Sequence, residues 1–345
     1  MIDTLPKVKK RYLNHLNRIN DYKLIQELHN TKGYDISIMC DELEIKRSSY
    51  YKWTHSKPTQ LQLIDEMVLA KIKEVADSNN SLFGAVKMRD FLKNECGLTV
   101  GHNKVARLMS INDIRSTFRN KGKHTIIKST PETTAENILS RDFNASAPFE
   151  KWLTDITEIK APASSLKLYM APMLDLYGLY PVAVNVSERN DTNLTDSLLL
   201  EAHNLYPDAR PLAHSDRGFQ YTRAVYKSLL EEYGMTQSMS RVSRCIDNGP
   251  CENFQGIFKS ILYVLYPEAK TKDELLIAIE GTLDYYINKY PQARFKGKTS
   301  GQVFNEALSS TNPVNYPIKK SNRYIKYWNH IEELKQSSIS QSIQQ

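Results

Sequence analysis

Three strand-like segments follow one another along the chain with no helical pattern between them. They are rich in β-branched and aromatic residues, and they cover residues 151–160, 166–178 and 179–188. Two helix–strand pairs and then two helices follow over residues 191–290. The resulting order, βββαβαβα with one further helix, predicts an α/β domain whose mixed sheet is flanked by helices.

Up to residue 112 the apolar residues have the spacing of α-helices. Two blocks, residues 35–53 and 83–109, each contain two short helical patterns separated by a break. The break in the second block includes Gly97, a typical helix stop. Each block therefore has the outline of a helix-turn-helix, although paired helices with a glycine turn are also common in proteins that do not bind DNA.

The net charge of +7 is carried by the first part of the chain. Residues 1–145 hold 24 lysines and arginines against 17 acidic residues, whereas residues 146–345 hold 22 of each. A basic module favours a polyanion such as nucleic acid, because its cations neutralise phosphates and release counterions. A merely soluble basic surface explains the same charge. The candidate DNA-contacting residues on the second helices of the two blocks are Arg47, Lys104 and Arg107.

These patterns divide the chain into five segments. The predicted boundaries give a helix-turn-helix-like domain over 1–60, a second over 61–112, a basic linker over 113–145, the α/β domain over 146–310 and a C-terminal tail over 311–345.

Composition excludes several classes of protein. No apolar run is long enough to span a bilayer, and the N-terminus has no apolar segment behind its basic residues. The four cysteines form no CxxC pair, and no His/Cys cluster has zinc-finger spacing. We therefore expect a reduced, cytoplasmic protein with no membrane partner.

Acidic residues stand at unexpected places in the α/β domain. Asp216 follows a short apolar strand, at the end where sites in open α/β sheets gather. Asp155 lies within the first strand, where an unpaired carboxylate is unusual. Glu252 falls in the first turns of a helix for which Asp247 and Asn248 are candidate N-caps.

Each of these carboxylates also has an ordinary explanation as a cap, a turn residue or a partner of the helix dipole. Asp175, in another strand, is an alternative to Asp155. If Asp155, Asp216 and Glu252 converge, their oxygens suit Mg²⁺. Two such ions, about 3.5–4 Å apart, stabilise an in-line phosphoryl displacement.

Three stretches resemble the catalytic blocks of one family: WLTDIT (152–157), HSDRGFQYT (214–222) and CIDNGPCENFQGIFK (245–259). They are similar to insertion-sequence transposases of the IS-three family, the second-reading-frame (OrfB-type) products whose core is related to retroviral integrases. Between Asp216 and Glu252 lie 35 residues, the spacing of that family's Asp, Asp, Glu triad. The two helical blocks and residues 285–304 also resemble this family.

The resemblance implies an RNase H-like core and a DNA transposase. Asp155 and Asp216 would hold a first Mg²⁺ and Glu252 would complete a second site, with Mn²⁺ as a substitute. Water and then a DNA 3′-hydroxyl would attack a phosphodiester at the element ends and in the target. Lys259, seven residues after Glu252 and on the same helical face, stands where the family has Lys or Arg and would contact DNA.

The implied partners are the terminal inverted repeats, target DNA and further copies of the chain bound to DNA. An upstream helix-turn-helix protein, supplied separately or as a frameshift fusion, is a further expected partner. The location implied is the bacterial cytoplasm, at the nucleoid when the protein is bound to DNA. Two alternatives stay open: an RNase H-like nuclease that does not join strands, and a helix-turn-helix regulator with an inactive core.

Overall fold

The computed structural model describes residues 7–56, 59–118, 135–241 and 245–318. The chain divides into two compact units, residues 1–68 and residues 69–345. About half of the predicted linker (residues 119–134) and most of the predicted tail (residues 319–345) lie outside the described residues.

The first unit is helical, with α1 (Lys7–Lys32), α2 (Ile36–Glu42) and α3 (Arg47–Thr54). Asp35 caps α2, because its side chain accepts hydrogen bonds from Ser37 N at 2.6 Å and Ile38 N at 3.3 Å. Ile25, Cys40 and Tyr50 form its buried core. The α2–α3 pair confirms the two helices predicted over residues 35–53.

The second helical block contains α5 (Ala85–Cys96) and α6 (His102–Ile111), and α4 (Gln60–Ser78) precedes it. Gly97 ends α5 in the left-handed conformation, with φ of 67°, as the sequence predicts for a glycine stop. The predicted pair of helices over residues 83–109 is therefore confirmed.

A six-stranded mixed sheet forms the centre of the second unit. Its strands are β1 (Lys151–Thr154), β2 (Thr157–Lys160), β3 (Lys167–Asp175), β4 (Tyr180–Ser187), β5 (Leu212–Ser215) and β6 (Thr236–Met239). β3 pairs antiparallel with β1, β2 and β4, whereas β1, β5 and β6 are parallel neighbours. The predicted α/β class and mixed sheet are confirmed.

The predicted first strand, residues 151–160, is interrupted at Asp155 and Ile156. Its two halves, β1 and β2, keep one register against β3, and that register sets Asp155 opposite Pro172. Proline has no backbone N–H to donate to the ladder. Strand pairing with β3 is therefore interrupted at Asp155.

Helices cover both faces of the sheet. They are α7 (Thr192–Leu205), α8 (Ala224–Glu232), α9 (Gly249–Leu265), α10 (Lys272–Asn288) and α11 (Ser300–Leu308). Trp152 packs in a cluster with buried residues of α7 and α8, whereas its neighbour Leu153 packs with Cys251 of α9. Because successive strand residues point to opposite faces, the domain has three layers.

The α5–α6 block packs against the helical layer of the same unit. Phe83 lies 6.2 Å from Tyr285 and 6.4 Å from Tyr290, between ring centroids. The sheet domain is thus joined directly to its neighbouring helix-turn-helix-like block. In the part of the chain that the structure describes, no helix is long and apolar enough to cross a membrane.

Candidate active site

Parallel pairing brings Asp155 and Asp216 together. Lys151 pairs with Leu212 and Leu153 with His214, so the same register extended past both strands sets Asp155 beside Asp216. Neighbouring strands are about 4.8 Å apart, which places two carboxylates at adjacent positions on one sheet edge. Both residues are half-buried.

Glu252 approaches this pair from a different element. It lies in the first turn of α9 and is exposed. Its charge raises the pKa of Asp155, as does that of Asp216. The structure therefore sets Asp155 beside Asp216, with Glu252 near enough for its charge to act on Asp155.

Burial is the largest cause of the raised pKa of Asp155, and repulsion by Asp216 is the next; hydrogen bonding from Gln255 opposes both. Burial likewise raises the pKa of Asp216, while the backbone N–H of Gly218 lowers it. Because the two carboxylates are half-buried and repel each other, they stay protonated to a higher pH than ordinary aspartates do. A cation between them would relieve that repulsion.

As they stand, the described residues contain no group of three His, Cys, Asp or Glu side chains arranged to hold a metal ion. In donor chemistry the set does fit a divalent cation such as Mg²⁺, because all donors are carboxylate oxygens.

The turn after β5 fixes Asp216. Gly218 N donates to Asp216 Oδ1 at 2.8 Å. A Cβ at Gly218 would lie 3.0 Å from that oxygen and 3.0 Å from Gln220 Oε1. The close approach of the backbone to the carboxylate therefore favours glycine at this position.

The sequence analysis did not predict the contacts that two amide side chains make at the site. Gln255 Nε2, one helical turn after Glu252, lies 3.3 Å from both Asp155 O and Asp155 Oδ2. Asn248 Nδ2 donates to Thr154 O at 3.1 Å, and its buried Oδ1 has no hydrogen-bond partner among the described residues. The spacing of Gln255 from Glu252 was the only available signal.

The side chains of the candidate caps of α9 have other roles. Asn248 occupies the N-cap position of α9, as the sequence predicted for one of the two candidates, but its side chain makes no cap hydrogen bond. The buried Asp247 carboxylate accepts from Arg141 Nε at 2.5 Å, Arg241 Nε at 2.9 Å and Asn137 Nδ2 at 3.0 Å. These partners hold the pKa of Asp247 far below its usual range, despite burial. These partners fix the position of the Asp247 side chain, which lies five residues before Glu252.

Asp175, the alternative to Asp155, lies elsewhere. It pairs with Trp152 at the start of β1, whereas Asp155 follows the end of that strand. Its carboxylate accepts from Phe149 N at 2.7 Å, Trp152 Nε1 at 3.1 Å and Tyr177 N at 2.8 Å. Burial raises its pKa to about 7, against the effect of these donors. Asp175 therefore serves the packing of the domain.

Lys259 lies on α9 with Glu252 and is half-buried. Burial lowers its pKa, and the charges of Glu158 and Asp155 oppose that shift. The Lys259 amine is therefore near enough to Glu158 and Asp155 for their charges to act on it; that it shares a helical face with Glu252 follows from the seven-residue spacing.

The other three candidate cations lie in the helical blocks. Arg47 is exposed at the start of α3 and donates to Ser37 Oγ at 3.1 Å. Lys104 and Arg107 are half-buried on α6. Their contact with DNA stays a prediction.

Two family models match the chain. The "Integrase core domain" model matches residues 145–245, and the "HTH-like domain" model matches residues 63–122. Among solved structures, the chain is similar to the HTLV-2 integrase catalytic core domain in complex with magnesium (22% identity, TM-score 0.35, 46% of this chain and 97% of that chain). It is also similar to a simian T-cell lymphotropic virus intasome in complex with a PP2A regulatory subunit (15% identity, TM-score 0.42, 69% and 81%).

Curated relatives extend over most of the sequence. The chain is 31% identical over 287 residues to the putative transposase InsK of insertion sequence element IS150 from Escherichia coli K12, covering 82% of this chain and 98% of that protein. It is 30% identical over 238 residues to the transposase of IS904 from Lactococcus lactis (68% and 91%). It is 29% identical over 230 residues to the transposase InsF of IS3A from Escherichia coli K12 (64% and 77%). The chain therefore belongs to the insertion-sequence transposases of the IS-three family, with an integrase-like catalytic core.

Proposed function

We propose that this transposase cleaves a phosphodiester at each end of its element and joins the resulting 3′-hydroxyl to target DNA, using divalent metal ions. The observation that carries the proposal is the register of β1 and β5, which sets Asp155 beside Asp216 within reach of the charge of Glu252. A covalent protein–DNA intermediate is not needed for this chemistry.

In this proposal Asp155 and Asp216 hold the first Mg²⁺ and Glu252 completes a second site, where Mn²⁺ also serves. The ions, when bound, supply charge stabilisation to the attacking and leaving oxygens. The chain itself positions the ligands: Gly218 N holds Asp216 Oδ1, and Gln255 lies against Asp155.

DNA is the proposed partner along much of the chain. Lys259 contacts DNA next to the carboxylates, and Arg47, Lys104 and Arg107 contact it from the helical blocks. We further propose that the protein acts as a homo-oligomer on its terminal repeats, in the bacterial cytoplasm and at the nucleoid. An upstream helix-turn-helix protein, separate or fused, completes the assembly. The domain boundaries given above are part of this proposal.

Amide substitution tests the active site. Asp155→Asn, Asp216→Asn and Glu252→Gln keep side-chain size but remove the charge that binds metal. We expect cleavage and joining of duplexes carrying the element ends to fall by more than about 100-fold, since each metal contact supplies several kcal/mol of transition-state stabilisation. DNA binding should be largely kept. Glu280→Gln, an exposed carboxylate on α10, is the control.

The same assay separates the alternatives. Cleavage by the wild-type protein without joining would identify a nuclease, and DNA binding without either activity would identify a regulator. A fully active Asp216→Asn protein would contradict the metal assignment.

A further inference from the structure

A basic pocket lies in the second unit, apart from the carboxylates described above. It has a volume of about 420 Å³. Its lining includes Arg89, Asp90 and Lys93 of α5, Thr99 and Val100 of the turn before α6, and Lys296 of the loop that follows α10. The pocket therefore lies between the helix-turn-helix-like block and the catalytic core.

Close contacts hold the two walls of the pocket together. Asn94 Nδ2 donates to Gly297 O, and Lys87 Nζ donates to Pro291 O at 3.1 Å. Gly297 has φ of +90°, and a Cβ there would lie 2.8 Å from Asp90 Cβ. Any larger residue at this position would push the loop away from α5. Glycine therefore allows the close contact between the loop and α5.

The charge in the pocket is not balanced. Arg89 Nε donates to Asp90 Oδ1 at 2.8 Å, so these two residues form an ion pair. Lys93 and Lys296 are both exposed, and within the described ranges neither has a carboxylate at ion-pair distance. By contrast Lys298, in the same loop, pairs with Glu306 at 2.5 Å. A concave site with two unpaired ammonium groups is suited to an anion.

We propose that this pocket binds a backbone phosphate of duplex DNA. This inference rests on the proposed function, which makes DNA the substrate. The turn that lines the pocket leads directly into α6, the second helix of the block. In helix-turn-helix proteins the second helix reads the major groove while neighbouring groups contact the backbone and fix the register. A phosphate held by Lys93 and Lys296 would fix the DNA relative to the block and the core together.

The test is the salt dependence of DNA binding by the full-length chain. The variant is Lys93→Ala/Lys296→Ala, and the control is Lys227→Ala/Lys272→Ala, which removes the same charge from α8 and α10, outside the pocket. Binding to a duplex carrying an element end is measured by fluorescence anisotropy between about 50 and 200 mM salt. Each lost phosphate contact lowers the slope of log K against log[salt] by about 0.9.

We expect the pocket variant to have a slope about 0.9 smaller than that of the wild type, because one phosphate contact is lost, and the control to keep the wild-type slope. Lys93→Arg/Lys296→Arg should also keep it, since the charge is retained. If the alanine variant melts at a lower temperature than the wild type, Lys93→Gln/Lys296→Gln replaces it in the same measurement.

Three results would contradict the proposal that this pocket binds a DNA phosphate. One is a wild-type slope in the pocket variant, and another is an equal loss of slope in pocket and control variants. The third is stabilisation by inorganic phosphate that depends on Lys93 and Lys296 while the DNA slope is unchanged. None of these affects the proposed catalytic function, which fails separately if the wild type neither cleaves nor joins the element ends.

Discussion

At the scale of single residues, the sheet edge combines buried groups whose protonation is shifted in both directions. Burial raises the pKa values of Asp155 and Asp216, whereas it lowers the pKa of His214, two residues before Asp216. His214 is fully buried, with Nδ1 2.9 Å from Ser238 Oγ and Nε2 3.2 Å from Ser240 Oγ. These shifts make both stability and metal binding depend on pH.

Burial lowers the pKa of His214 to about 4. The unfolded chain therefore binds more protons than the folded chain below the usual histidine pKa of about 6.5. Stability should fall as pH drops from about 6.5 toward about 4, with about 2 kcal/mol lost from this residue between about pH 7 and about pH 5. Urea unfolding at the two pH values should show a smaller loss for His214→Gln. An equal loss in both proteins would show that His214 is not the source.

Metal binding should also depend on pH. Because the pKa of Asp155 is raised, Mg²⁺ must displace a proton from the carboxylate pair. Isothermal titration calorimetry in buffers of different ionisation enthalpy should detect proton release, and affinity should increase from about pH 6 to about pH 8. Asp155→Asn should abolish the proton release, whereas Glu280→Gln should not. Binding of constant affinity without proton release would contradict the raised pKa.

The sequence indicated the three carboxylates but not the groups that hold them. Gln255 and Asp155 are a hundred residues apart, and no local pattern reports a hydrogen bond between them. Asp247 looked like a helix cap because it precedes α9, but its partners include Arg141, which lies in a stretch that reads as a basic linker. Long-range partners of buried polar groups become visible only in three dimensions.

At the scale of elements, α9 carries much of the proposed site on one face. Glu252 and Lys259 lie two turns apart on this helix, and Gln255 lies between them. The spacing alone was enough to predict their common face, because the helical period is fixed.

Lys259→Met tests this face, since it keeps the aliphatic stem and removes the charge. We expect binding of element ends to weaken by about tenfold, in line with the loss of one charge-assisted contact, while Mg²⁺ binding is unchanged. Lys259→Arg should retain end binding. DNA binding by both variants is measured by anisotropy titration. Unchanged binding by Lys259→Met would show that the charge of Lys259 does not contact DNA.

Two elements escaped the sequence analysis for different reasons. The break between β1 and β2 depends on Pro172, which lies on another strand, so the segment itself reads as continuous. α11 was not predicted, although its start carries a capping box in which Thr299 and Gln302 satisfy each other's backbone groups. That signal was present in the sequence and was missed.

At the scale of the whole molecule, the chain has one helical unit, residues 1–68, and a larger unit that contains both a helix-turn-helix-like block and the catalytic core. Residues 1–58 hold 11 lysines and arginines against 7 acidic residues. The order of patterns along the sequence predicted the fold class of both parts. The packing of Phe83, which precedes α5, against Tyr285 of α10 could not be predicted, because aromatic packing partners leave no sequence pattern.

A fragment starting at residue 59 tests whether the first unit contacts DNA. It should fold, because the larger unit has its own core, and it should bind DNA with a shallower salt dependence than the full chain. Arg47→Ala in the full chain should lower the slope by about 0.9 if Arg47 contacts a phosphate. Equal slopes for fragment and full chain would show that the first unit does not use its charge for DNA.

The cluster around Asp247 also determines how short an active fragment can be. A fragment that begins at residue 146, the predicted start of the α/β domain, would lose Asn137 and Arg141 and leave a buried carboxylate short of its donors. At the other end, Ile318 N donates to Asn144 Oδ1, so a cut at residue 310 would remove a second connection. Removing one partner of a buried ion pair costs about 3–5 kcal/mol, enough to unfold many domains. The minimal catalytic protein should therefore extend from before Asn137 to beyond Ile318, wider at both ends than its strands and helices suggest.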